Sequence, residues 1–192
     1  MKILVDRLTA TPTGLRFEAG TGWWQQHLPT RRDLPRELTV PLRIEGEVHL
    51  MGEDVYLEAR IEGLLELECS RCVARYGHRL RESFRLVLEP AGSRVPADPE
   101  AAVALARDGL CLGDEFETGW YRGGEVRLDS VCLEVLSLAL PVKPLCREDC
   151  AGLCARCGSD LNAGACGCPE ERPKSPFDVL AALRDGEPKG AH

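Results

Sequence analysis

The sequence feature that most constrains the fold is a cysteine-rich segment near the C-terminus, Cys146 to Cys168. It holds six of the chain's ten cysteines in a context of glycines and polar residues. Such a segment cannot bury enough apolar surface to fold by itself, and coordination of a metal ion by four thiolates is the usual solution. The segment therefore predicts a metal-binding appendix.

The remaining cysteines extend this prediction to a second metal ion. Cys69 and Cys72 form a C-x2-C pair upstream, whereas Cys111 and Cys132 lie among apolar neighbours and are predicted to be core thiols. Eight cysteines then remain, which is two sets of four. The predicted sets are Cys154, Cys157, Cys166 and Cys168 for one ion, and Cys69, Cys72, Cys146 and Cys150 for the other. We expect structural zinc, one or two ions per chain, with no open coordination position.

Composition and charge narrow the class of protein. The 192 residues are 44% hydrophobic and 29% charged, which is typical of a soluble globular chain, and the net charge is −7. This acidic balance argues against binding nucleic acid through bulk charge, so any such contact has to be local. The sequence shows no signal peptide and no run of membrane-spanning length, so the cysteines are expected to be reduced in the cytoplasm.

The clearest secondary structure is a predicted β-hairpin over residues 55–89. Apolar and charged residues alternate along both arms, with the C-x2-C pair between them. If Cys69 to Cys72 form the turn, Leu65 faces Tyr76 and Ile61 faces Leu80, while Glu66 faces Arg75 and Glu62 faces Arg79. This register pairs apolar with apolar side chains and acids with bases.

Residues 71–85, which cover part of the turn and most of the second arm, carry five arginines against one acid. They form either a stripe for RNA phosphates or cross-strand pairs with the glutamates of the first arm. In the predicted register, Arg71 has no acidic partner and Arg81 lies opposite Arg60. Arg71 and Arg81 are therefore candidate partner-binding residues, and the alternative is that they only solvate the scaffold.

The first 45 residues predict short strands and one aromatic pair. Trp23 and Trp24 lie in a polar context, and they form either a partner-contact platform or a cap on the core from a short helix. Alternating apolar residues from Leu38 to Ile44 predict a strand. Because Pro41 cannot donate a ladder hydrogen bond, that strand is expected at a sheet edge.

The predicted fold class is α+β. An antiparallel β-rich domain, residues 1–141, would contain the hairpin, a loop over 90–124 and a buried helix over 129–140 with Asp129 as its N-cap. A zinc-binding segment, residues 142–192, would end in a helix between Ser175 and Gly186.

Four motifs resemble a known family in their order and spacing. They are LECSRC at Leu67–Cys72, LALPVKPLC at Leu138–Cys146, CAGLCARCGSDLN with CGC, and SPFDVLAAL. Together they resemble the bacterial YceD family, described as large ribosomal RNA subunit accumulation proteins that are needed for normal 23S rRNA levels. The resemblance implies a role in ribosome biogenesis, through rRNA or a ribosome-assembly protein as partner.

No catalytic signature accompanies these motifs. The sequence has no nucleophile–histidine motif, phosphate loop or open metal set, so we expect a binding factor without a small-molecule substrate and not an enzyme. The alternatives are a cysteine-based redox or zinc-responsive regulator acting through Cys69 and Cys72, and a nuclease that uses Asp114, Glu115 and Glu117.

Overall fold

The computed structural model describes residues 1–27, 34–35, 38, 40–113 and 117–169. The chain falls into two compact units, Met1–Cys150 and a second that begins at Ala151. The first unit extends beyond the predicted boundary at residue 141, because Cys146 and Cys150 lie against the hairpin tip. Division into separately folding domains stays a prediction. The helix predicted near the C-terminus lies outside the described residues.

The described part of the first unit contains eight strands and three α-helices. The strands are β1 (Lys2–Leu4), β2 (Thr13–Ala19), β3 (Leu42–Met51), β4 (Asp54–Glu68), β5 (Arg75–Pro90), β6 (Leu110–Leu112), β7 (Thr118–Tyr121) and β8 (Glu125–Arg127). The helices are α1 (Thr21–His27), α2 (Pro99–Asp108) and α3 (Asp129–Ala139). No helix among the described residues is long and apolar enough to cross a membrane.

One mostly antiparallel sheet organises these elements. Its strand order is β2-β3-β4-β5-β7-β6, in which only the β5–β7 pair is parallel, and β1 pairs with β8 in a separate small sheet. The predicted α+β class is therefore confirmed.

The sheet has one buried face and one solvent face, as the period-two pattern predicts. On β4 the side chains of Val55, Leu57, Ile61 and Leu65 are almost fully buried, whereas the alternate positions are mostly acids and arginines. Helix α3 packs against β5 and buries the five apolar side chains Val131, Cys132, Leu133, Val135 and Leu136.

The predicted helix over 129–140 is found as α3, but the role of its first residue differs. Leu128 is the N-cap residue, and no side chain caps the helix. The Asp129 carboxylate instead accepts a hydrogen bond of 2.6 Å from Trp23 Nε1. Asp129 therefore joins α3 to α1.

The predicted hairpin is present, but its register was wrong by two residues. Leu65 faces His78, Ile61 faces Glu82, and Glu62 faces Arg81. The error lies in the turn, because the Cys69 amide donates to the Ala74 carbonyl at 2.9 Å, so the loop is Ser70–Val73. Since the shift is an even number of residues, every side chain stays on its predicted face.

Two smaller predictions also need correction. The strand after Pro41 is not at the edge: β3 begins at Leu42 and lies between β2 and β4, and Pro41 stands just outside its ladder. The segment 90–124 is not only a loop, because it contains α2, β6 and β7.

Candidate metal centres

The tip of the β4–β5 hairpin is folded so that two thiols point the same way. The Val73 amide donates to the Cys69 carbonyl at 2.9 Å, and the Cys69 amide donates to the Ala74 carbonyl, also at 2.9 Å. These two bonds close a tight turn around Cys69 and Cys72. The tip therefore presents a preformed pair of sulfur ligands.

Two further thiols reach this tip from the segment after α3. The Ser70 amide donates to the Pro144 carbonyl at 2.8 Å, which fixes that segment beside the turn. Cys146 and Cys150 thereby join Cys69 and Cys72, and the four Sγ atoms lie within 4.8 Å of one another. We call these four residues the hairpin cluster.

The sulfur–sulfur distances in the hairpin cluster fit a tetrahedral metal ion. Cys69 Sγ lies 3.8 Å from Cys150 Sγ, and Cys72 Sγ lies 3.7 Å from Cys146 Sγ. With zinc–sulfur bonds of about 2.3 Å, the edges of a tetrahedron are about 3.8 Å long. These two distances therefore match the edges of a zinc–thiolate tetrahedron, and the other sulfur pairs lie within 4.8 Å.

Burial and charge show why this cluster favours a cation. Cys69 and Cys150 are each 1% exposed. The N–H of Cys146 lowers the pKa of Cys69 to about 6, whereas burial and the neighbouring thiols raise the pKa of Cys146 to about 12. Four thiolates do not coexist here without a positive ion to neutralise them. The residues thus fit a divalent metal by charge as well as by distance.

A second group of four cysteines lies in the unit that begins at Ala151. Its members, which we call the knuckle cluster, are Cys154, Cys157, Cys166 and Cys168, and their Sγ atoms also lie within 4.8 Å of one another. The two groups are the same two sets of four that the spacing predicted.

Hydrogen bonds to sulfur lower the pKa of two thiols in the knuckle cluster. The amides of Cys157 and Arg156 lower the pKa of Cys154 to about 6, and Ser159, whose hydroxyl is 3.2 Å from Cys157 Sγ, lowers that of Cys157. The neighbouring Cys157 sulfur raises the pKa of Cys168 to about 12. Cys157 is exposed and the other three are half-buried, so this cluster is the more accessible of the two.

The two C-x2-C turns share one backbone geometry. In the knuckle cluster, Gly158 donates to the Cys154 carbonyl at 2.9 Å and Cys154 to the Ser159 carbonyl at 2.8 Å, which repeats the two bonds around Cys69. Gly158 has φ of 72°, and Val73, at the equivalent position, has φ of 60°. A β-branched residue is strained in this left-handed region, where glycine is the ordinary choice. Sequence reasoning missed Val73, although superimposing the two C-x2-C pairs would have identified it.

Val73→Gly is expected to raise the stability of the first unit. Relief of left-handed strain is worth about 1–2 kcal/mol, and the entropy of an added glycine costs about 0.5–1 kcal/mol, so the net gain is about 0.5–1 kcal/mol. Thermal denaturation measures the change. The matched control is Val95→Gly at another exposed loop valine whose φ is not positive, and it should lower the melting temperature. A loss of stability in Val73→Gly would show that the position is not strained.

The two remaining cysteines lie apart from both clusters. Cys111 is 3% exposed and Cys132 is fully buried. Burial raises the pKa of both thiols, to about 12 for Cys132. This is the environment of a core thiol, as the sequence predicted.

The structure gives partners to the two candidate arginines of the hairpin. The Arg81 guanidinium lies 3.2 Å from Glu62, so the predicted contact with Arg60 was wrong because the register was wrong. Arg71 Nη1 donates to the Cys150 carbonyl at 2.8 Å and, more weakly, to the Glu148 carbonyl at 3.4 Å. Arg71 therefore holds the backbone beside the hairpin cluster. Its predicted role in partner binding rested on its having no partner within the hairpin, and that argument no longer applies. Arg75 pairs with Glu66 at 3.1 Å, as predicted.

The tryptophan pair caps the core from helix α1. Trp24 is 2% exposed, and its Nε1 donates to the Pro35 carbonyl at 3.1 Å. Trp23 packs edge-on against Phe17 and is held by Asp129. The partner-contact prediction is therefore wrong for Trp24, which has no free face, and Trp23 is a half-buried packing residue.

The acids suggested for a nuclease form no described site. Asp114 and Glu115 lie outside the described residues, and Glu117 is exposed. Among the described residues, the metal-binding groups of three or more cysteine, histidine or acidic side chains are the two cysteine clusters.

Comparison with known proteins places these clusters in a family. The family described as "Large ribosomal RNA subunit accumulation protein YceD" matches residues 57–184. That span contains all eight clustered cysteines. No solved structure matches the chain.

Curated relatives are similar over most of the chain. An uncharacterized protein of Mycobacterium leprae is 27% identical over 143 residues, which cover 71% of this chain and 59% of that protein. The "Large ribosomal RNA subunit accumulation protein YCED homolog 1, chloroplastic" of Arabidopsis thaliana is 21% identical over 164 residues, 76% of this chain and 49% of that protein. An uncharacterized protein of Mycobacterium tuberculosis is 26% identical over 124 residues, 65% of this chain and 51% of that protein. The chain thus spans about half the length of the curated relatives it matches. Because the family match covers well over half of the chain, the protein belongs to the YceD family of large ribosomal RNA subunit accumulation proteins.

Proposed function

We propose that this protein is a zinc-containing, non-enzymatic factor that supports accumulation of 23S rRNA by binding rRNA or a ribosome-assembly protein. The observation that carries the proposal is the pair of four-cysteine clusters within the span matched by the YceD family. The name of the Arabidopsis relative supports the rRNA part of the proposal.

Zinc is the metal that best suits the two clusters. Tetrahedral coordination by four thiolates is typical of structural zinc, and iron is the main competitor for the same ligands. Four protein ligands leave no coordination position for a reactive water, which supports a structural role over a catalytic one. All ten cysteines are free thiols, and a reducing compartment such as the cytoplasm suits that state.

A rescue experiment in cells tests the proposal. Depletion of the protein is expected to lower mature 23S rRNA, and expression of the wild-type chain should restore it. A chain carrying Cys69→Ser and Cys154→Ser should fail to restore it, because both clusters then lose a ligand. RNA gel analysis of the 23S to 16S ratio is the measurement.

The control for this experiment is Cys111→Ala, which removes a buried cysteine outside both clusters. It should restore 23S rRNA to the wild-type level, provided that immunoblotting shows equal amounts of each variant. Normal 23S rRNA in depleted cells would contradict the proposed function. Full rescue by the double cysteine variant would contradict the role of the metal.

A second candidate is a zinc-responsive or redox regulator. It is favoured by the exposure of Cys157 and by the lowered pKa of Cys154 and Cys157, since accessible thiolates react fastest with oxidants and alkylating agents. Under this alternative, mild peroxide should release metal and change the effect of the protein on rRNA. Under the structural proposal, metal bound at physiological pH protects both clusters from alkylation.

A further inference from the structure

Strand β5 leaves a long stretch of its outer edge without a neighbouring strand. It pairs with β4 along Arg75–Leu88, but on its other side β7 covers only Val87–Pro90. Among the described residues, no strand pairs with the outer edge between residues 75 and 86. Within the described part of the chain, the backbone groups of this edge thus have no strand partner and can pair with an added strand.

The residues that face outward along this edge can be identified. The Val87 amide donates to the Glu117 carbonyl and the Ala91 amide to the Tyr121 carbonyl, so odd-numbered residues of β5 point their backbone groups away from β4. The β4–β5 register runs without a bulge from Arg75 to Leu88, so the same parity holds along the edge. Arg79, Arg81, Ser83 and Arg85 therefore present the free amides and carbonyls.

The side chains of these odd-numbered residues give the edge a positive charge. They lie on the solvent face of the sheet and are exposed. Arg81 pairs with Glu62, but among the described residues neither Arg79 nor Arg85 forms an ion pair. An incoming strand would thus meet arginine side chains on one of its faces.

The other face of an incoming strand would meet a groove whose lining is half apolar and half polar. A groove of about 330 Å³ runs between the β5 edge and α3, lined by Phe84, Val135, Leu138 and Ala139, with Glu82 and Glu117 also lining it. Leu138 is 68% exposed on α3, where most other apolar side chains are buried. A free strand edge beside a helix with an exposed leucine is the arrangement in which proteins bind an extended peptide by strand addition.

We propose that β5 and α3 form a docking groove for an extended acidic segment of a partner protein, which adds to the sheet as a strand next to β5. Its acidic side chains meet Arg79, Arg81 and Arg85, and its alternate apolar side chains enter the groove at Phe84 and Leu138. Glu82 and Glu117 in the groove disfavour acids on that second face. This deepens the proposed function, on which it rests, by naming the chemistry of an assembly partner.

Charge complementarity favours an acidic partner segment over a second copy of the same chain as the occupant of the groove. Two β5 edges paired with each other would bring arginines against arginines, which destabilises a sheet. An acidic strand forms opposite-charge pairs instead. The amides and carbonyls of the β5 edge can both be hydrogen-bonded by an extended polypeptide. Phosphate groups alone cannot satisfy both kinds of group.

Binding of synthetic peptides tests the groove directly. The probe is a fluorescein-labelled peptide of about ten residues with alternating glutamate and leucine, a length typical of a strand. A peptide of the same composition with its glutamates and leucines in separate blocks controls for charge and apolarity, and one with lysine for glutamate controls for sign. Fluorescence anisotropy with the full-length, metal-loaded protein should show binding of the alternating acidic peptide alone.

Three variants separate the parts of the groove. Ser83→Pro removes one outward amide without touching the β4 ladder, and it should weaken peptide binding at least about tenfold. Arg79→Glu with Arg85→Glu should weaken it to a similar degree, at least about tenfold, through like-charge repulsion. Leu138→Asp at an exposed position should weaken it without affecting folding, which covers the case in which Ser83→Pro misfolds.

The matched control is Arg16→Glu with Arg43→Glu. It makes the same charge change on the same sheet face, on β2 and β3, away from the β5 edge. Peptide binding should stay within about twofold of the wild type, because exposed charges far from a contact contribute little. Equal weakening by both double variants would overturn the proposal.

Two further outcomes would also overturn it. One is absence of peptide binding together with binding of a uridine-rich single-stranded RNA that is lost in Arg79→Glu with Arg85→Glu, since the edge would then be a nucleic-acid surface. The other is full restoration of 23S rRNA in depleted cells by Ser83→Pro and Leu138→Asp. In that case the proposed function stands if the double cysteine variant still fails to restore 23S rRNA. Normal 23S rRNA in depleted cells would remove the proposed function whatever the peptide does.

Discussion

Cys150→Ser is expected to remove one of two metal ions and to release the segment after α3 from the hairpin tip. Structural zinc contributes on the order of 10 kcal/mol of apparent binding free energy, so loss of a ligand is among the largest effects available to a single substitution. Cys150 Sγ lies 3.8 Å from Cys69 Sγ, and the Cys150 carbonyl accepts the hydrogen bond from Arg71. Native mass spectrometry should show one ion per chain in place of two.

The consequences of Cys150→Ser should be local to the hairpin cluster. Hydrogen exchange should increase at the hairpin tip and at residues 142–150, while the middle of β4 stays protected, because Ile61 and Leu65 are buried in the apolar core. Cys111→Ala is the control and should keep both ions. A variant that keeps two ions and an unchanged tip would show that Cys150 is not a ligand.

Metal affinity is expected to fall steeply as the pH is lowered. The metal-bound clusters carry no protons on sulfur, so the metal-free form binds more protons and acid favours it. Cys146 and Cys168, with pKa values of about 12, each release a proton on binding metal throughout the physiological range. Between the physiological range and pH 6, the metal affinity of each cluster should therefore fall at least about tenfold for each unit by which the pH is lowered.

Below about pH 6 the fall should become steeper. Cys69 and Cys154, with pKa values of about 6, are then protonated in the metal-free form and must also lose a proton when metal binds. The slope should reach at least about a hundredfold per unit for each cluster. Competition with a chromophoric chelator from pH 7.5 to about pH 5 measures it. Affinity that is independent of pH over this range would contradict thiolate coordination.

The two four-cysteine clusters could be predicted from sequence because their chemistry is local. A segment that holds six cysteines and few apolar residues has few ways to fold, and subtracting Cys111 and Cys132 on the basis of their apolar neighbours left two sets of four. The alternation on β4 and β5 likewise placed each side chain on the correct face, because a period of two depends only on the strand itself.

The register could not be predicted, because it depends on the geometry of the turn. A four-residue turn from Cys69 to Cys72 gave plausible pairs on both faces, and a shift of two residues keeps the same parity. The actual loop, Ser70–Val73, is also four residues long but begins one residue later, and it places Val73 in the left-handed region. The observed register places Arg81 beside Glu62 instead of Arg60, which removes the main argument for its role in partner binding.

The groove beside β5 could not be predicted either. It requires knowing that β7 covers only the last residues of β5 and that α3 lies next to the uncovered edge. The sequence marked the arginines of the second arm as unusual but gave no reason to connect them with Leu138, some fifty residues away. Such long-range neighbours are set by topology and not by local pattern.

The most direct test of the account is the metal content of the purified protein. Elemental analysis combined with native mass spectrometry should give two zinc ions per chain, with all eight clustered thiols protected from alkylation until a chelator is added. Cys69→Ser and Cys154→Ser should each remove one ion, and together both. Iron in place of zinc, or metal-free protein whose eight cysteines alkylate at once, would contradict the account.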